Sequence, residues 1–224
     1  MSSNILPKAA AAVAILGVAG GVSAQTTFDV TATVQNTLTV TKVQDLNLGT
    51  LFATAAAASA YKYVDLAPAG TYGTVQGSGA TTLTLLTLGG QQAARGSVAV
   101  GGTTPVKITL PTATFASLEA TGTIAGSVAQ LLAEQGSSNA VEVRLGDPLA
   151  ARFYLGNFRA GAASGGSTSG NCSSSNVCTI TPAFGQTSIS FGIGATLVTD
   201  VAGGSRIAYE DATYTGSFEV TAAY

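Results

Sequence analysis

Apolar and polar residues alternate one by one along many short runs of this chain, and this pattern constrains the fold more than any other feature. From Phe28 to Val34 the even-numbered residues are apolar and the residues between them are polar. A period of two is typical of a β-strand with one buried face. Thr and Val, which favour strands, dominate the other alternating runs. The pattern therefore predicts an all-β protein.

Turn-forming clusters of Gly, Ser and Pro separate the alternating runs. The strand candidates are LTVTKV, DLNLGTLF with a kink or bulge at Gly49, YKYVDL, TTLTLLTL, GSVAV, PVKITLP, AVEVRL, ARFYLGNF, CTITPAF, TSISFGIGATLVT and ATYTGSFEVTAAY. Regularly spaced strands of this kind predict one antiparallel β-sandwich with Greek-key connections. No shift in composition indicates a linker, so residues 25–224 are expected to form a single domain.

Two stretches depart from the strand pattern. Ser127–Gly136 has helical spacing, with Val128, Leu131 and Leu132 on one face, and predicts the one short helix of the fold. The Ser- and Gly-rich stretch GGSTSGNCSSSN, residues 165–176, predicts the longest loop.

The first 24 residues have the pattern of a cleaved secretory signal. Lys8 is the only charge among them, an apolar run follows, and small residues at 22–24 suit a cleavage site before Gln25. A membrane anchor is the alternative interpretation, but the apolar run is shorter than the ~20 residues that span a bilayer. We therefore expect export through the periplasm to the cell surface or beyond, with no membrane span in the mature chain.

Two cysteines lie close together in a Ser-rich loop. In an oxidising compartment, Cys172 and Cys178 are expected to form a disulfide that pins this loop. The sequence offers no His, no second Cys pair and no C-x-x-C spacing, so a metal or redox site is not expected.

Charged residues make up 9% of the chain, against about 25% in an ordinary soluble domain. A formal net charge of −2 gives no basic patch for nucleic acid. Without His there is no Ser–His or Cys–His nucleophile pair. Glu210 and Asp211 are the obvious carboxylate pair, and their surroundings predict a solvated turn. We therefore expect no enzyme, no catalytic or metal-ligating residues and no cofactor.

Three stretches resemble a family of exported bacterial proteins that is catalogued as a domain of unknown function. The stretches are LTVTKVQDLNLGTL, FGIGATLVT and ATYTGSFEVTAAY, and the matching residues are Asp45, Leu46, Leu48, Gly49, Gly194, Leu197, Tyr214, Gly216, Phe218, Val220, Thr221 and Tyr224. Leu48 replaces the usual Phe, Ala212 stands where Gly is common, and the middle of the chain matches poorly. The resemblance implies export, an immunoglobulin-like or pilin-like β-sandwich and a role in surface filaments, without catalytic residues.

The beginning and the end of the predicted domain are nearly the same strand. TTFDVTATV at residues 26–34 matches GSFEVTAAY at residues 216–224. The two could be the first and last strands of one sandwich. Alternatively, the alternation from Phe28 to Val40, broken only at Asn36, covers 13 residues, or about 44 Å at about 3.4 Å each, so part of it could leave the subunit. On this interpretation residues 25–35 form a donor strand that enters a neighbour's sheet.

Two functions remain open on these grounds. The first is a structural filament subunit that polymerises with copies of itself by strand donation, with a periplasmic assembly factor as a candidate further partner. Its donor side chains would be Phe28, Val30, Ala32 and Val34, and its acceptor edge would be Phe218, Val220 and Tyr224. The second is a monomeric secreted or surface-attached binding or adhesion module that uses loops such as residues 165–178.

Overall fold

A computed structural model describes residues 37–54, 60–78, 84–116, 118, 128–136, 140–169, 172, 176–201 and 208–224. All of them belong to one compact unit, residues 35–224. Among these residues, antiparallel strands predominate and one short helix occurs, which confirms the predicted all-β class. The proposed donor side chains Phe28, Val30, Ala32 and Val34, and the predicted signal at 1–24, lie outside the described residues.

The described elements are short strands around two long ones. The strands are β1 (Thr37–Leu38), β2 (Val40–Gln44), β3 (Thr50–Ala53), β4 (Tyr61–Leu66), β5 (Gln76–Ser78), β6 (Leu85–Gly89), β7 (Ala94–Ala99), β8 (Val106–Thr109), β9 (Val141–Val143), β10 (Phe153–Ser164), β11 (Gly166–Ser169), β12 (Val177–Pro182), β13 (Ser188–Thr199) and β14 (Thr221–Ala223), and the helix is α1 (Val128–Gln135). β10 and β13 are each 12 residues long and pair with each other.

Two sheets make up most of the sandwich. One has five strands in the order β1-β14-β8-β12-β11, and the other has seven, with β2-β7-β13-β10-β9 in line and β4 and β5 branching from β13. β3 and β6 form a separate two-stranded ribbon. Ile108 and Ile180 of the first sheet are buried in the same cluster as Leu155 and Phe191 of the second. The core therefore lies between the two sheets.

The glycines of β13 allow β4 and the chain after it to approach closely. A Cβ atom on Gly194 would contact the backbone oxygen of Leu66, and one on Gly192 would contact that of Pro68. Glycine is the residue that permits such close backbone approach. This packing gives a physical reason for the GIG sequence in the middle of a long, mostly buried strand.

The helix was predicted within one residue at each end, but its buried face was partly wrong. Leu131 is buried, whereas Leu132 is 45% exposed, so the two do not share the buried face. The fourth residue after Leu131 is Gln135, and it takes that place instead. Its amide donates to the Thr199 oxygen at 2.8 Å and accepts from the Val201 N–H at 3.1 Å, which fixes α1 to the end of β13.

The chain changes sheet at Thr39. Thr37 and Leu38 pair with β14 in the five-stranded sheet, whereas Val40 pairs with Val98 of β7 in the seven-stranded sheet. LTVTKV, residues 38–43, was predicted as one strand, and this prediction was wrong, because Leu38 and Val40 lie in different sheets. Strands can pass between the sheets of a sandwich at a bend without losing their buried face, so the pattern alone does not reveal the change.

Strand limits near the end and in the predicted long loop also differ from expectation. The last strand was predicted from Ala212, but its ladder begins at Thr221. Extending the register of β14 on β8 by two residues places Pro111 opposite Glu219. Proline has no backbone N–H, so the next pair of ladder hydrogen bonds cannot form there. Within the loop predicted at 165–176, Gly166–Ser169 forms β11 against β12. Backbone pairing at an edge compensates there for a composition that disfavours strands.

Candidate functional site

An open groove of about 880 Å³ lies beside β9. Nine consecutive residues, 46–54, line one wall, and a second run of nine, 208–216, lines the other wall together with Phe218. Most of the lining therefore comes from two continuous segments of chain.

The floor of the groove is apolar. Val141 and Val143 of β9 and Phe153 and Leu155 of β10 line it. Alternate residues of neighbouring strands point to the same face, which is why these four meet on one side of the sheet. Apart from Val141, which is half-buried, they are buried, and they belong to or pack against the main core. The groove therefore opens directly onto the interior of the sandwich.

Aromatic stacking fixes the wall at 208–216. The Tyr209 ring stacks on Phe153 with ring centres 4.5 Å apart, and the Tyr214 ring meets Phe153 edge-on at 5.4 Å. The Tyr209 hydroxyl accepts from the Asp200 N–H and donates to the Arg152 carbonyl, both at 2.8 Å. Burial of this hydroxyl raises the pKa of Tyr209, so the phenol stays neutral and able to donate.

Hydrogen bonds fix the opposite wall. The Tyr72 hydroxyl donates to the Leu48 carbonyl at 2.8 Å, and burial raises the pKa of Tyr72. Asn47 exchanges two backbone hydrogen bonds with Gln92, at 3.0 and 2.7 Å. Gly49 has a φ of +68°, a left-handed conformation that favours glycine. The predicted kink at this glycine is therefore present, and it turns the wall into β3.

The extended segment Gly216–Val220 runs along the groove into β14. Just before it, Thr215 exchanges two backbone hydrogen bonds with Arg144, at 2.9 and 3.0 Å. Just after it, β14 pairs with β8 and β1. In the part of the chain that the structure describes, no backbone hydrogen bond involves residues 216–220.

The ladder register shows where the backbone groups of this segment point. The Leu110 N–H donates to the Asn176 oxygen, so the even-numbered residues of β8 bond to β12 and the odd-numbered ones to β14. In turn, Ala222 directs its backbone groups towards Leu38 of β1. The alternation continues to residues 220 and 218, whose groups face the side that β1 leaves at Thr39. Their side chains meanwhile pack against the core.

The predicted acceptor residues have different surroundings. Phe218 lines the groove, and its ring meets that of Phe158 with centres 5.0 Å apart. Val220 packs against the core at the end of the segment. Tyr224 is 37% exposed, and its hydroxyl accepts from the Gly101 N–H at 3.1 Å, outside the groove lining. The structure thus brings two of the three predicted acceptor residues to the segment.

The wall at 46–54 and the two tyrosines at 209 and 214 were not predicted as site residues. The alternation of Leu46, Leu48 and Leu51 was a signal for buried side chains, but nothing in it indicated an open neighbouring face. The carboxylates of Glu210 and Asp211 lie exposed at the rim, in the solvated turn that their sequence predicts.

The disulfide prediction is confirmed, since Cys172 and Cys178 are joined with Cα atoms 4.8 Å apart. Within the described ranges, no cluster of three or more His, Cys, Asp or Glu residues could hold a metal ion. Among the residues that the structure describes, no helix is long and apolar enough to cross a membrane.

A scan against family models matched nothing, and searches of curated proteins and of solved structures found no similar protein. The groove and the unpaired segment Gly216–Val220 are therefore the features from which a function can be inferred.

Proposed function

We propose that this chain is an exported structural subunit of a cell-surface or extracellular filament, which polymerises by strand donation. The donor is residues 25–35, with Phe28, Val30, Ala32 and Val34 as its apolar face. The observation that supports this function is the extended segment Gly216–Val220, whose backbone has no ladder partner beside an apolar groove. An unpaired extended backbone is the kind of edge to which a further strand adds.

The composition of the chain agrees with an assembled protein. Only 9% of its residues are charged, which suits a surface that neighbours cover. A contact between a donor segment and a groove elsewhere on the next copy joins two different surfaces, and such contacts extend into fibres when they do not close into rings. The disulfide agrees with an oxidising compartment, as expected for export through the periplasm.

A charge on the apolar face of the donor tests this function. Val30→Asp would lose about 1.5–3 kcal/mol of burial and would add several kcal/mol for desolvating a carboxylate. At about 1.4 kcal/mol per factor of ten, subunit affinity would fall roughly a thousandfold or more. Thr31→Asp is the matched control, because residue 31 lies on the other face of the same strand.

Electron microscopy and sedimentation of the exported full chain would give the result. We expect filaments from the unchanged protein and from Thr31→Asp, and dispersed subunits from Val30→Asp. Circular dichroism of both variants would show that the domain is still folded. Filaments formed equally well by Val30→Asp would refute strand donation, and a protein that stays monomeric without any substitution would refute the filament function.

The second candidate is a monomeric binding or adhesion module. It is favoured by one observation, the pair of exposed carboxylates, Glu210 and Asp211, at the rim of an open groove. A folded monomer that binds a polymeric ligand, and loses that binding in a Glu210→Gln and Asp211→Asn double variant, would support this second function. The same monomer would contradict the first.

A further inference from the structure

We infer that the occupant of the groove is the segment 25–35 of a second copy of this chain, and that it lies between the walls 46–54 and 208–216. Its backbone pairs with Phe218 and Val220, and its even-numbered side chains lie on the floor made by β9 and β10. This inference rests on the proposed function, and it adds the site of insertion and the origin of the inserted strand.

The direction of β1 indicates that the inserted strand comes from another molecule. β1 and β14 are antiparallel, with Leu38 opposite Ala222 and Thr37 opposite Ala223. Going back along the chain from Leu38 to Thr37 therefore leads away from Gly216–Val220. Pairing with this segment by residues 25–35 of the same subunit would therefore need a reversal of chain direction, whereas pairing by a second copy needs none.

The groove lies where a continued first strand would have run. After Leu38 the chain passes to the other sheet, so β1 pairs with only two residues of the last strand. Beyond Ala222, the backbone groups of residues 220 and 218 face this side. A donated strand in this position would lie in line with β1 at the edge of the five-stranded sheet and would pair with the backbone next to Phe218.

The pattern of the donor matches the two environments of the groove. Phe28, Val30, Ala32 and Val34 form one apolar face, whereas Asp29, Thr31, Thr33 and Gln35 form a polar face. The floor is built from Val, Phe and Leu side chains, and the rim is polar. A strand in the groove therefore buries its apolar face and leaves Asp29 towards water. The close match between residues 28–32 and 218–222 indicates that both strands suit neighbouring positions in the same sheet.

The groove is already shaped for an occupant before one binds. The aromatic contacts of Tyr209 and Tyr214 hold one wall, and the hydrogen bond from Tyr72 to Leu48 holds the other. A site that needs little rearrangement loses less affinity to ordering on binding. A groove held in this way can therefore receive a strand without a large rearrangement.

Cysteine cross-linking between two singly substituted full-length chains tests the site. One chain carries Val30→Cys and an affinity tag, and the other carries Leu51→Cys on the groove wall, so that a tagged heterodimer can form only between molecules. We expect this heterodimer to accumulate at least tenfold faster than with Thr31→Cys in place of Val30→Cys. Phe184→Cys in place of Leu51→Cys is the second control. Phe184 is 94% exposed, so mere accessibility would favour that control.

The outcomes separate the inference from the function it rests on. Filaments in which Val30→Cys links to Phe184→Cys as fast as to Leu51→Cys would overturn the groove as the acceptor while the filament function stands. A Val30→Cys and Leu51→Cys double variant that links within one chain at high dilution would overturn the intermolecular origin. If the unchanged protein forms no filaments under any condition, the proposed function itself fails.

Discussion

Substituting Phe218 by Ala tests whether the unpaired segment is packed as the structure describes. The ring lies 5.0 Å from that of Phe158 and packs against the main core while it lines the groove. A fully buried Phe→Ala change costs about 3–5 kcal/mol. Because Phe218 is half-buried, we take about half of this loss. With an aromatic pair worth about 0.5–1.5 kcal/mol, the expected destabilisation is about 2–4 kcal/mol.

Thermal unfolding of the full chain measures this loss. For a domain of 150–250 residues, about 1 kcal/mol shifts Tm by about 2–4 °C, so Phe218→Ala should lower Tm by about 4–16 °C. Phe184→Ala is the matched control, because the same truncation at a 94% exposed side chain should change Tm by less than about 2 °C. Equal Tm values for the two variants would refute the packing of residues 216–220 against the core.

Three further changes address other parts of the fold. Gly194→Ala should lower the free energy of unfolding by at least about 2 kcal/mol, since the new Cβ meets backbone, whereas Gly146→Ala, in open space, should change it by under about 1 kcal/mol. Tyr72→Phe should cost about 1 kcal/mol at neutral pH. Burial raises the pKa of Tyr72 above the value of about 10 that a tyrosine has in an unfolded chain. The stability that the neutral phenol contributes is therefore complete below pH about 10 and falls above it. Tyr72→Phe has no such group, so it should lose less stability than the unchanged protein between pH 9 and 11. Reduction of Cys172–Cys178 should cost about 2 kcal/mol.

Urea unfolding measures all three, at neutral pH for the glycine and disulfide comparisons and at several pH values between 9 and 11 for Tyr72→Phe. Equal midpoints for Gly194→Ala and Gly146→Ala would contradict the close approach of β4 to β13. An unchanged alkaline slope in Tyr72→Phe would show that this hydroxyl is not buried against the groove wall. A midpoint that is insensitive to reductant would contradict a stabilising role of the disulfide.

Alternation along the chain was enough to predict the strands in which apolar side chains mark the buried face. β4 and β13 fall where YKYVDL and TSISFGIGATLVT place them. β5 and β11 were missed because they are built from Gly, Ser, Thr and Gln, and such strands form through backbone pairing with a neighbour. No local pattern in a sequence records that pairing.

The groove was less predictable than the fold for a related reason. Phe218 and Val220 were predicted at a receiving edge from the repeat and the closing alternation. The opposite wall at 46–54 depends on the ribbon β3–β6 and on the hydrogen bond from Tyr72, which are contacts between residues distant in sequence. The change of sheet at Thr39 leaves the backbone of Val220 without a paired strand on that side. Because Leu38 and Val40 keep the same apolar alternation across this change, the sequence pattern does not reveal it.

The two-residue pairing of β1 with β14 has a mechanical consequence. A pull on the chain at Thr37 reaches this pair first, and only Thr37 and Leu38 hold it, whereas β2 beyond Thr39 is held by a longer ladder on β7. Under tension β1 would detach before β2, releasing about 7 Å of chain at about 3.3 Å for each of its two residues. In the filament that we propose, a pulled subunit would therefore give way first at β1, where Leu38 loses its packing against the core while the ladder of β2 on β7 still holds.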